Sequence, residues 1–367
     1  MTTVRDGPSG IARWAKGNPL GAVGALIALA VAATLVAALA WKRENPLPQG
    51  KALFAVWAAG PNSAVAVGGL GTILHYDGTS WSLKESGTAL TLCGVWGSGP
   101  NDVFAVGASG TILHYDGSAW CPMPSGTDEG LLGVWGSGPD DVFAVAGHAD
   151  PNDPNAAKNV VMHYDGATWS ELEGTPESYY LHAVWGSGPN DVFAVGYDFA
   201  EMSAGILYYD GTSWSSTAAE VIALLRGVWG SGSNDVFAVG AFGTILHYDG
   251  AAWCPMPSGT DESLLGVWGS GPNDVFVSGG EGTLLHYDGA SWSPVATGTT
   301  DDLLAGCVLP PAGGLVVGGR GTILRLQGDT WVDVTIGVRQ VVLDTHGTAP
   351  NSEVALCCDL SPSAAPD

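Results

Sequence analysis

The sequence predicts an all-β fold: a seven-bladed β-propeller of four-stranded blades, preceded by one N-terminal transmembrane helix. Three observations carry that expectation. The phrase "GVWGSGPNDVFAVG" at 94–107 returns in near copy from 133, 183, 227 and 266. A second signature, "GTILHYDGTSW" ending at Trp81, closes each copy. Ahead of both, "LGAVGALIALAVAATLVAALA" (20–40) runs 21 residues without a charge.

The repeat sets the architecture, because a fixed period of about 40 residues marks stacked supersecondary units. Aligned on its tryptophan, the opening phrase places Trp57, Trp96, Trp135, Trp185, Trp229 and Trp268 in one slot, with Cys307 in a seventh copy. The closing signature ends at Trp81, Trp120, Trp169, Trp214, Trp253, Trp292 and Trp331. Within a unit, "LLGVWG" reads as strand a and "DVFAVG" as strand b, joined by a Gly/Pro/Asn/Asp turn. "TILHYD" reads as strand c, and "DGxxW" turns into strand d. The strands are apolar nearly throughout, as sheets covered on both faces require. Seven such units make a propeller, whose radial closure leaves only short edges.

The units fall near 52–90, 91–129, 130–179, 180–223, 224–262, 263–301 and 302–340. A decayed partial unit follows at 341–358, where "PNSEVAL" matches "PNSAVAV" of the first, and 359–367 forms a tail. An eight-bladed ring with its last blade incomplete is therefore the alternative.

Residues 1–19 form a basic segment, 20–41 the expected membrane span and 42–51 a linker. At about 1.5 Å per residue the apolar run covers roughly 30 Å, the thickness of a bilayer core. Ala38-Leu39-Ala40 also resembles a secretory cleavage site, so an uncleaved anchor and a signal cleaved near Ala40 both stand. Either places the acidic part outside the cytoplasm, in the periplasm or at the cell surface. Beyond residue 51 there are 34 acids against 6 bases. Such a surface repels phosphate backbones, so no nucleic-acid partner is expected. The six cysteines show no zinc spacing, and no disulfide pairing follows from them. Cys357-Cys358 reads as a strand end.

The element "YDGTSW" (76–81) resembles the Asp-box, or BNR, hairpin of sialidase-like propellers. It departs from that pattern in lacking the serine and in a shorter Asp-to-Trp spacing. The "VGG…YDG…W" of the first unit is similar to a kelch repeat. The resemblance covers about 52–358 and implies that the hairpin is structural. Its sialidase branch implies an arginine triad, a Tyr-Glu nucleophile pair and an acidic Asp. Against that, the propeller segment has four arginines, of which Arg320, Arg325 and Arg339 crowd into its last unit and tail with only Arg226 elsewhere in it. Tyr179-Tyr180 with Glu177 offers no arginine clamp. An extracytoplasmic glycan-active hydrolase or lyase is thus the alternative, and no catalytic residue is assigned.

His75, His114, His163, His247 and His286 share one slot on strand c, and Asp77, Asp116, Asp165, Asp210, Asp249 and Asp288 another. Residues common to every blade build blades, so function is sought where blades differ. Unit 3 carries a longer b–c connection, "GHADPNDPNAAKN" (147–159), and unit 4 another, "GYDFAEMSAG" (196–205). The d–a connection between them, "TPESYYLH" (175–182), also departs from the repeat. All three emerge on one face, where loops on a rigid scaffold gather binding residues. The expected lip comprises Asp150, Asn152, Asp153, Tyr179, Tyr180, Tyr197, Asp198, Phe199 and Glu201. Asp150, Asn152, Asp153 and Asn155 supply oxygen ligands suited to Ca2+, but lack the D-x-[DN]-x-[DN]-G alternation and closing glutamate of a calcium loop. No cofactor is expected beyond that weak calcium candidate. The function expected is a membrane-tethered, non-catalytic module that binds an extracytoplasmic protein or glycan.

Overall fold

The computed structural model describes residues 50–335, apart from 151–152, 177, 218, 220, 311–312 and 328–329. These residues form seven four-stranded sheets, each built from four consecutive strands. The blades cover 53–84, 92–123, 131–171, 179–216, 225–256, 264–294 and 303–333. In blade 1, strands a to d are Leu53–Gly60, Ser63–Gly68, Thr72–Tyr76 and Trp81–Lys84, paired antiparallel in that order. The ring is seven-bladed, and the eight-bladed alternative falls. The partial unit at 341–358 lies outside the described residues.

The apolar character of every strand is explained by where the core sits. Each hydrophobic cluster spans two neighbouring blades. One joins Phe104, Val106 and Ile112 of blade 2 to Leu131, Val142, Met162 and Trp169 of blade 3. Strand b of blade 2, Asp102–Gly107, is buried along all but its first residue because a blade covers each of its faces.

Two tryptophan contacts recur at the junctions. The outer one sets the strand-b phenylalanine edge-on to the next blade's strand-d tryptophan, as in Phe104 and Trp169, 6.0 Å between centroids. At the inner one, the strand-a tryptophan lies across the glycine that follows the next blade's own tryptophan. A Cβ on Gly136 would stand 2.6 Å from the Trp96 ring, and one on Gly230 2.6 Å from Trp185. Glycine is required there by the approach of the ring.

Blade 7 closes on blade 1 through side chains. Leu315, Val317 and Ile323 share a cluster with Leu53, Leu74 and Tyr76. Arg325 donates a 2.5 Å hydrogen bond to the Tyr76 hydroxyl, and its guanidinium lies 5.3 Å from that ring's centroid. This junction breaks the inner pattern at both partners: Cys307 replaces the tryptophan and Ala58 the glycine.

The expected fold class is corrected at its N-terminus. Among the described residues no helix is long and apolar enough to cross a membrane. The predicted span 20–41 lies outside them. That expectation rested on hydropathy and length, which state what a segment could do in a bilayer and not that it forms a helix there. The fold formed by the described residues is the propeller.

Candidate binding face

The residues that recur from blade to blade resolve first, and they are structural. In blade 1, Asp77 accepts hydrogen bonds from the Thr79 and Ser80 amides at 2.9 and 2.8 Å, and from the Thr79 hydroxyl at 2.7 Å. Gly78 completes the turn at φ +94°, where a side chain is disfavoured. The Ser80 amide foremost, then the Thr79 contacts, hold the Asp77 carboxyl down at about 2.

The strand-c histidines meet the aspartates that open strand b. His114, His163, His247 and His286 lie 2.6, 2.6, 2.7 and 2.8 Å from Asp102, Asp141, Asp235 and Asp274. Ser98, Ser137, Ser231 and Ser270 donate to the second oxygen of the same carboxylates. These are the residue types of a hydrolase triad in the wrong order. The serine touches the carboxylate instead of the imidazole, so no base activates a nucleophile.

Blade 1 opens strand b with Ser63 in place of an aspartate. His75 there accepts instead from the Trp120 indole N–H at 3.1 Å. Burial first, and then Lys84, lower its pKa to about 4.

The variable connections do share one face, the end of the ring where strands a begin. In blade 3 the inserted residues extend the sheet: strands Asp141–Asp150 and Asp153–Tyr164 stay paired out to Asp150 opposite Asp153. Pairing satisfies the backbone of an insertion that a free loop would leave to water. Asn152 lies outside the described residues, and only the backbones of Asp150, Asp153 and Asn155 are described. Thr175 donates to the buried Asn159 carboxamide at 2.9 Å, and Asn159 in turn donates to the Pro176 carbonyl. The blade 3 hairpin is thus pinned to the connection that leads into blade 4.

Blade 4 lengthens in the same way, with Tyr179 opposite Asp198, Tyr180 opposite Tyr197, and Asp198 opposite Ser203. Its predicted lip residues divide by burial. Tyr179 and Asp198 are buried, and they hold the hairpin. Asp198 accepts from the Ser178 hydroxyl at 2.8 Å and the Ala200 amide at 2.9 Å. Burial, followed by the hydrogen bond with Asp198, pushes the Tyr179 phenol up to about 12. Tyr180 packs on blade 3, where a Cβ on Gly147 would stand 2.6 Å from its ring. Tyr197 and Phe199 meet edge to face at 5.1 Å, both half-buried, and Glu201 is exposed. Among the described residues no cluster of three His, Cys, Asp or Glu could hold a metal ion.

Apolar side chains reinforce this face. Of the six large hydrophobic residues exposed among the described residues, five lie on it: Leu70, Leu90, Met202, Ile222 and Phe242. Met202 and Phe242 tip the b–c connections of blades 4 and 5, and Ile222 lies in the connection between those blades. Leu70, Met202 and Phe242 hold positive φ of 54°, 52° and 58°. Such backbone is uncommon for large side chains and persists where the surroundings impose it.

The axis was missed in the sequence. Phe54, Cys93, Leu132, His182, Arg226, Leu265 and Leu304, one from each blade, line a cavity of about 50 Å³. Each stands three residues before its blade's tryptophan or Cys307, so the repeat alignment itself holds the signal. Room for a water or two falls far short of the roughly 300 Å³ at which small-molecule pockets begin. Of the arginines weighed for a sialidase clamp, Arg226 faces this axis. Arg320 sits at a connection paired with Asp301 at 3.2 Å, Arg325 is spent on the seam, and Arg339 lies outside the described residues.

No family model matches the chain, and no curated protein matches it. The Asp-box and kelch resemblance is not confirmed by these comparisons. Solved structures share the fold. YCF48 bound to D1 peptide is 16% identical, with a TM-score of 0.60, over 76% of this chain and 94% of that one. YCF48 from Cyanidioschyzon merolae is 15% identical, with a TM-score of 0.60, over 78% and 98%. The WD40 propeller domain of Doa1 is 12% identical, with a TM-score of 0.61, over 77% and 94%. At these identities the likeness shows one thing, a seven-bladed propeller fold shared with these proteins.

Proposed function

We propose that the chain is a non-catalytic module that captures a segment of another protein on the face where strands a begin. The observation that carries this reading is the gathering of exposed Met202, Ile222 and Phe242 beside the enlarged hairpins of blades 3 and 4. Apolar side chains rimmed by polar ones mark interaction surfaces, and a few such anchors supply most of the binding energy. The YCF48 neighbour bound to a D1 peptide supports the use of this fold for capturing a polypeptide. Residence outside the cytoplasm belongs to the same reading and is supported by Cys93, which is disulfide-bonded.

The test pans a random-peptide library against the immobilised protein. Met202→Ser/Ile222→Ser/Phe242→Ser and a deletion of 150–157 serve as comparisons. Enriched peptides should lose at least about tenfold in affinity for the triple variant, or about 1.4 kcal/mol. Equal binding by wild type and both variants, or no enrichment, overturns the proposal.

A further inference from the structure

We propose that the axial cavity receives a carboxylate of the captured segment, held by Arg226 and His182. The inference rests on the binding reading and names the chemistry the partner must carry. The axial slot lies near the start of strand a, so the cavity is on the same side of the ring as the exposed apolar residues. Blades 3, 6 and 7 fill that slot with Leu132, Leu265 and Leu304, whereas the neighbouring blades 4 and 5 fill it with His182 and Arg226. A half-buried guanidinium gives up hydration that a leucine does not, so these two blades depart from the residue that best serves the core.

The departure coincides with the apolar anchors. Met202 belongs to blade 4, Phe242 to blade 5 and Ile222 to the connection between them. Ile222 stands four residues before Arg226, so their backbones are at most about 14 Å apart, the span of about four extended residues. One segment laid across blades 4 and 5 can therefore meet the anchors and the axis together. The chemistry selects what it inserts. A guanidinium carries five donors in a planar fork, enough to hold a carboxylate through two of them beside any contact within the chain. The His182 ring adds a further N–H. A cavity of about 50 Å³ has room for the two oxygens of a carboxylate and not for a sugar ring or a nucleotide. Beyond residue 51 the chain carries 34 acids against 6 bases. Such a surface repels an acidic segment broadly, and the guanidinium on the axis then sets the register in which it docks.

The test takes peptides selected on the immobilised protein from a library with free C-termini. Each is resynthesised with its Asp and Glu residues replaced in turn by the amides, and with its C-terminus free or amidated. Fluorescence anisotropy measures their binding to wild type and to Arg226→Gln. One of these neutralisations should weaken binding to wild type at least about tenfold, and binding to Arg226→Gln less than about twofold. Which neutralisation does so tells an acidic side chain from a chain terminus. If Arg226→Gln gives no cooperative urea transition, Arg226→Lys takes its place, keeping the charge without the fork. There the same neutralisation should have an effect at least about threefold smaller than on wild type. Peptides indifferent to every neutralisation, or equally sensitive on both proteins, overturn the carboxylate site. The capture reading then still stands where Met202→Ser/Ile222→Ser/Phe242→Ser weakens the same peptides. A library that enriches nothing overturns both.

Discussion

Gly136 shows how a single missing methyl group organises a junction. The Trp96 ring occupies the space its Cβ would take, at 2.6 Å, whereas a Cβ on Gly138 two residues later meets nothing within 4 Å. Gly136→Ala must displace a packed tryptophan, and overpacking of that kind costs about 1–3 kcal/mol. Gly138→Ala should stay within about 0.5 kcal/mol of wild type. Urea unfolding of the two variants measures the difference, and equal midpoints would refute the packing argument. His75 makes a second residue-scale case. Its folded pKa, about 4, lies below the ordinary 6.5, so protonation favours the unfolded chain. Its contribution is whole above pH 6.5, declines between 6.5 and 4, and is flat below that. The Asp77 shift runs in the same direction: with a folded value of about 2 against 3.8, its contribution is held above pH 3.8 and lost as pH falls through 2. The two windows are separate. Between pH 7 and 4 wild type should therefore lose urea midpoint relative to His75→Gln, and parallel curves for the two proteins would show that His75 is not held neutral.

At the scale of strands and hairpins, the sequence was most legible where a residue's role repeats. Strand order, the DGxxW turn and the structural reading of the strand-c histidines all follow from seven near-identical copies, since whatever recurs in each blade must serve the blade. The enlarged connections were also visible, as departures from a period. Their form was not. The Asp150–Asp153 and Asp198–Ser203 ends are paired strand, and Tyr179 and Asp198 support the hairpin from inside it. Pairing depends on what lies across the sheet, which a local reading of "GHADPNDPNAAKN" does not contain. The axial ring was missed for a related reason. Its members share one slot of the repeat but differ in kind, from Phe54 and Cys93 to His182 and Arg226, and their common direction exists only once the blades are arranged around an axis. Met202 and Phe242 are apolar residues whose exposure is not legible from the sequence. A positive φ at the tip of each connection turns them outward.

For the whole molecule, the question is how a ring assembled from like parts knows where to close. Five successive junctions, from Trp57 over Gly97 to Trp229 over Gly269, use the same tryptophan-on-glycine contact. At the sixth, Trp268 lies over Gly306, two residues before the position the glycine holds at the others. The seventh abandons the contact. Cys307 and Ala58 pack with Leu309 and Leu315, and Arg325 reaches across to Tyr76. Burial pushes the Cys307 thiol up to about 12, so it serves there as a small apolar group and not as a reactive one. The cysteine and the alanine make sense together, because a tryptophan at 307 would meet the very Cβ that glycine lacks at every standard junction. Cys307→Trp should accordingly destabilise the protein by about 1–3 kcal/mol through overpacking. Pairing it with Ala58→Gly restores the arrangement of the other blades. The double variant should then recover part of the loss, with a coupling of at least about 0.5 kcal/mol between the two sites. Urea midpoints of wild type, both single variants and the double variant complete the cycle. Additive losses would mean that the seam is set elsewhere, with the Arg325–Tyr76 contact the next place to look.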